Sequence, residues 1–239
     1  MELLFALLTA FCLARPTYGA IALGTAVVLV FVAHESFMVL IGRRGAQRRA
    51  SQYVAARSAM VVLVVGALAL LASALPSLST SARLALAIPI ALGAPTVALA
   101  LAGRERSLLA EALVVAALTS VTIPVALASG APLPIVVGAT ASWVAFFGVG
   151  TLTARGVLYR AKDQGRGMKL ALATAVGVAA LSIAVAALGL TSLGRALGPL
   201  PSTLVTIVIA LRPPTPKQMT RLGLGLTAAA FVTLVLIVT

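Results

Sequence analysis

FVAHESFMVLIGRRGAQRRASQYVAAR, residues 31–57, decides how the whole chain is read. An apolar run carrying the only histidine, His34, passes directly into five arginines within fifteen residues, Arg43, Arg44, Arg48, Arg49 and Arg57. Apolar segments of about 17 to 25 residues are long enough to cross the ~30 Å hydrocarbon layer of a membrane. Arginines clustered where such a segment ends mark the side of the membrane on which that end lies.

Working outward, the same alternation recurs along all 239 residues, of which 61% are hydrophobic and 10% charged, with a mean hydropathy of +1.14. A soluble fold is excluded by that balance. The net charge of +13 does not point to nucleic acid, because the basic residues are dispersed between apolar runs rather than gathered on one soluble face. We read an all-α polytopic bundle of about nine spans: 2–14, 18–41, 58–75, 84–102, 108–128, 134–154, 170–189, 199–211 and 221–239. They form a single integral membrane domain, 1–239, and hint at two four-helix halves plus a ninth helix. The first and eighth runs are short; at ~1.5 Å per residue a stretch of about 14 residues covers only ~21 Å. The Met-Glu start lacks the positive charge of a signal peptide, so the first run reads as a short span.

Charge in the connections supports the count. Turns after spans 2, 4, 6 and 8 hold five, two, five and three Lys or Arg, the last count taking in Arg221 at the edge of span 9, against one, one, none and one after spans 1, 3, 5 and 7. By the positive-inside rule the basic turns face the cytoplasm of a bacterial cell, with the N-terminus inside and the C-terminus outside. Pro89 and Pro95 fall within the fourth run and Pro124 within the fifth; each removes a backbone donor and bends a helix.

Polar residues within or just below the basic turns are the candidate site. Glu35 stands eight residues before Arg43, about 12 Å along a helix, at a depth where a carboxylate must be neutral, paired or in contact with water. With His34, Arg43, Arg44, Glu111, Arg155, Tyr159 and Arg160 it makes one set on a single membrane face. Arg155, Tyr159, Lys162 and Arg166 recur at helical spacing, and Trp143 and Tyr159 read as interfacial or packing aromatics. Arginine-rich rims suit anionic headgroups and diphosphates, because guanidinium offers a rigid fork of donors. The set therefore points to a cytoplasm-facing cavity for an anionic or isoprenoid-like lipid, with membrane lipids as partners. A lipid-linked transferase and a secondary transporter are the alternatives. One histidine and one cysteine supply no cluster for zinc or haem, so no metal and no cofactor are expected.

HESFMVLIGRRG at 34–45, RERSLLAEAL at 104–113, WVAFFGVGTLTARGVLYRAK at 143–162 and LRPPTPKQMTRLG at 211–223 resemble the YwiC-like family of integral membrane proteins. That resemblance implies a multi-pass bacterial membrane protein and names no reaction. Family members begin with a His-Gly-containing helix that this chain lacks. The nine-helix plan is also similar to that of the UbiA prenyltransferase superfamily, whose aspartate-rich loops hold magnesium and a prenyl diphosphate. Here the corresponding turns carry Glu35 followed by arginines, and Asp163 among basic residues, so only the architecture is implied.

Overall fold

The computed structural model describes residues 1–159, 165–212 and 219–239, without the side chain of Met219. Arg160, Lys162 and Asp163 lie outside the described residues, as do 213–218 within the last basic turn. Every described element is a helix: α1 Glu2–Leu13, α2 Tyr18–Leu40, α3 Ala46–Ala74, α4 Thr80–Ala85, α5 Ala87–Leu101, α6 Leu108–Ser120, α7 Thr122–Ala128, α8 Leu133–Tyr159, α9 Arg166–Ala187, α10 Leu193–Leu197, α11 Leu200–Leu211 and α12 Met219–Val238. A short 3₁₀ turn, Leu75–Ser77, follows α3. Among the described residues eight segments are long and apolar enough to cross a membrane, and α1 is an additional, shorter apolar helix. The chain is a multi-pass integral membrane protein.

Three boundaries differ from the sequence reading, each for a physical reason. The third span begins at Ala46, because Ala, Gln and Arg are good helix formers and the basic run 46–57 simply continues the helix; the turn is confined to 41–45. The sixth span extends to Tyr159, so Arg155 and Tyr159 lie on its last turns, while Arg166 starts a new helix after Gly165 at φ +80°. The proposed run from Arg155 to Arg166 is therefore not one helix. The eighth span gains α10 at its start and becomes Leu193–Leu211, long enough to cross.

Prolines set the joints. A proline cannot donate to the carbonyl four residues back, and its ring crowds that carbonyl. Four residues before Pro89 is Ala85, the last residue of α4; four before Pro124 is Ser120, the last residue of α6. Pro95 is carried inside α5.

The chain divides into two compact units, Met1–Thr9 with Pro132–Thr239, and Ala10–Ala131. Each contains four of the long spans and opens them with a two-helix hairpin, α2–α3 in one and α8–α9 in the other. In each, the third span is broken near its start, with an arginine six residues before a proline: Arg83 and Pro89, Arg195 and Pro201.

The unit containing 132–239 is built around Trp143. Its ring is fully buried, stacked on Phe147 at 5.2 Å between centroids and edge-on to Phe146, with Phe5 at 5.5 Å. Its indole Nε1 donates to Thr9 Oγ1 at 2.8 Å. Trp143 is thus a packing aromatic, not an interfacial one. Small residues let backbones meet elsewhere in this unit. Gly194 and Gly198, four apart on one face, place α10 against α12, where Thr233 Oγ1 donates to the Gly198 carbonyl at 2.8 Å. A buried hydroxyl pair, Thr153 and Thr206 at 2.7 Å, joins α8 to α11.

Candidate functional site

In the unit Ala10–Ala131 the basic turn 41–45 is organised by three arginines with different tasks. Arg44 lies in the turn and reaches back along α2 to Glu35: Nε donates to Oε1 at 3.0 Å and to Oε2 at 3.1 Å, and Nη2 donates to Oε2. Arg48, in the first turn of α3, adds a second cation 3.7 Å from Glu35 Oε1 and hydrogen-bonds Gln52 Oε1 at 3.0 Å. The depth of Glu35 is thereby offset by two guanidinium groups on the same hairpin, and no distant helix is needed to hold its charge.

Arg43 points the other way. Its Nε donates to the Ala100 carbonyl at 3.0 Å and its Nη2 to the Leu101 carbonyl at 2.8 Å, at the C-terminus of α5. That end is closed by a glycine cap: the Gly103 N–H donates to Ala100 O at 3.1 Å and the Arg104 N–H to Leu99 O at 2.8 Å. Gly103 holds φ +73°, and a side chain there would meet the Arg43 guanidinium at about 3 Å. A cation at the negative end of the helix dipole completes the cap.

Beside this turn lies an open groove of about 560 Å³ lined by Ile41, Gly42, Ala46, Arg49, Ala50 and Tyr53. Arg49 and Tyr53 are four residues apart and so project from one face of α3. The first turn of α3 has no acidic residue, and its N-cap, Gly45, supplies no side-chain oxygen. The positive end of the helix dipole therefore points out among arginines.

The other candidate residues fall in separate places. His34 is exposed on α2, its ring 6.3 Å from that of Phe37, while Met38 one turn later is buried. Glu111 is half-buried in the first turn of α6, where a carboxylate suits the helix dipole, and Ser107 caps that turn by accepting from the Ala110 N–H at 3.2 Å. Arg155 and Tyr159 belong to the other unit, with the guanidinium carbon 5.1 Å from the ring centroid in a cation–π arrangement. Arg160 lies outside the described residues. The α2–α3 turn thus gathers Glu35, Arg43 and Arg44, whereas Arg49 and Tyr53, which line the groove, were not among the expected residues. The missing signal was their i, i+4 spacing, which has meaning only once α3 is known to start at Ala46.

Among the described residues no group of three or more His, Cys, Asp or Glu is placed to hold a metal ion. A sequence model of the family described as YwiC-like protein matches residues 2–127, more than half of the chain and all but the end of the unit that carries this groove. No curated protein matches the chain, and no solved structure does. The likeness to the prenyltransferase helix plan accordingly gains no support.

Proposed function

The chain belongs to the YwiC-like family, and from that premise we propose that it is a bacterial cytoplasmic-membrane protein that holds an anionic lipid headgroup at the α2–α3 turn. The observation that carries this reading is the groove beside the N-terminus of α3, whose lining joins Arg49 and Tyr53 to apolar Ile41, Ala46 and Ala50. Its polar residues suit a phosphate and its apolar residues suit the first carbons attached to it. The charge asymmetry of the connections supports placing this end at the cytoplasmic surface, where anionic lipids attract basic residues.

Within this reading Glu35 is an internal competitor. It occupies Arg44 and Arg48, which would otherwise add two cations beside the groove. A basic residue near an anionic membrane surface contributes about 1 kcal/mol, a factor of roughly five in binding. Arg49→Ala is therefore expected to weaken phosphatidylglycerol retention by about fivefold. Glu35→Gln is expected to strengthen it by up to about that factor for each arginine released. Native mass spectrometry of the two variants in nanodiscs of mixed phosphatidylglycerol and phosphatidylcholine reads both. Equal retention by wild type and Arg49→Ala, or weaker retention by Glu35→Gln, would remove the reading.

A second reading, a secondary transporter, rests on the two adjacent spans jointed at prolines, since interrupted helices border the solute site in many transporters. Solute or proton flux in proteoliposomes that stops when the breaks at Pro89 and Pro124 are repaired would favour it over the lipid-holding role.

A further inference from the structure

The joints at Leu86 and Val121 lie at similar depth. Counting from the α5–α6 turn, α5 has 15 residues and α6 has 13, so the breaks stand about 22 Å and 20 Å away along the two helices. Below the joints, α4 packs on α7, and α7 also packs on α2. Five of the seven residues of α7 are buried, and Thr17 Oγ1, at the start of α2, donates to the α7 carbonyl of Ala128 at 2.9 Å. Above the joints, α5 and α6 pack on each other. Of the 15 residues of α5 only Ala100 is buried. That single residue is also one of the two whose carbonyls are gripped by Arg43.

A helical pair with few buried residues, attached through two proline-weakened joints to a base anchored by the buried α7, is the kind of element that moves as a body. We propose that the α5–α6 hairpin is a hinged arm, jointed at Leu86 and Val121 and latched to the α2–α3 turn by the two-pronged grip of Arg43 on the Ala100 and Leu101 carbonyls. The ladder is weakest at these joints because neither proline can donate across them; the bonds bridging them, Ile90 N–H to Leu86 O at 3.4 Å and Val125 N–H to Val121 O at 3.3 Å, are long. The latch is specific to arginine, because a lysine offers a point charge in place of two parallel donors. It also requires Gly103, over which the guanidinium lies. A swing of about 20°, the scale of a proline kink, carried over about 20 Å moves the tip of the arm by about 7 Å.

Spin labels at Ser51→Cys on α3 and Leu109→Cys on α6, both exposed positions, read that movement in full-length protein in nanodiscs, in a Cys12→Ser background. With Arg43 present, electron–electron double resonance should give one narrow distance distribution. Arg43→Ala should add a population several ångströms longer, and Gly103→Ala, which displaces the guanidinium while keeping its charge, should do the same. Repairing both joints with Pro89→Ala and Pro124→Ala in the Arg43→Ala background should return the distribution to its narrow form. Unchanged distances in Arg43→Ala and Gly103→Ala would overturn the latch, and a long population that survives repair of both prolines would overturn the hinge. Should Arg43→Ala not be recovered as monodisperse protein, Arg43→Lys reads the same shift with the charge retained, and an unchanged distance there counts equally against the latch. The result is independent of whether Arg49 holds a headgroup.

Discussion

Trp143→Ala is expected to destabilise the unit containing 132–239 by about 3–5 kcal/mol, the range for removing a large buried aromatic. In lipid the association of helices gains little from the hydrophobic effect and depends on close packing, so the cavity itself is the main cost. Trp143 meets Phe5, Phe146 and Phe147, and Phe5 meets Phe231 edge-on at 5.1 Å, so one deletion loosens the start of α1, the middle of α8 and the contact with α12. Trp143→Phe separates the two components. It retains most of the ring contacts and gives up the hydrogen bond from Nε1 to Thr9, which should cost about 1 kcal/mol. Unfolding by graded SDS, followed by circular dichroism because the single tryptophan is lost, reads both variants. A cost for Trp143→Ala no larger than for Trp143→Phe would show that the aromatic cluster contributes little.

Gly194→Ala is expected to cost about 3 kcal/mol, at or above the upper end of the usual overpacking range. An added methyl group would drive into the main-chain carbonyl of Leu236, which cannot rotate away as a side chain can. Helices α10 and α12 would have to separate, pulling Gly198 from the Thr233 hydroxyl that bonds its carbonyl. Gly177→Ala in α9, where the new methyl group meets nothing within 4 Å, is the matched control and should be neutral or stabilising by about 0.5–1 kcal/mol. The same SDS titration distinguishes the two. Equal behaviour would mean that α10 and α12 adjust freely.

Run length alone located most of the spans, because crossing a membrane is a requirement on consecutive residues and needs no partner. Pro89 and Pro124 likewise announced their joints, since the steric conflict acts four residues upstream within the same helix. What was hidden depends on sequence-distant neighbours. The acceptors of Arg43 lie 57 and 58 residues away and are backbone carbonyls, which carry no side-chain signature. That Glu35 needs a partner was legible from its place in an apolar run, and Arg44 stood in the same candidate set; Arg48, 13 residues later, did not, because its approach to Glu35 depends on α3 starting at Ala46 and folding back along α2. The start of α3 was obscured for a simpler reason: arginines that mark a membrane boundary are also good helix formers, so a basic stretch can be both.

The glycine contacts and the proline joints together give the two units different mechanical characters. Where Gly156 meets the backbone of Met168, and Gly194 that of Leu236, neighbouring main chains touch, leaving little room for one rod to roll on another. Where Pro89 and Pro124 leave the hydrogen-bond ladder incomplete beside Leu86 and Val121, resistance to bending is lowest at those two places. Amide exchange should therefore be faster around those two residues than along α8, and a perturbation of the Ala10–Ala131 unit should register as a change of angle rather than as a general softening.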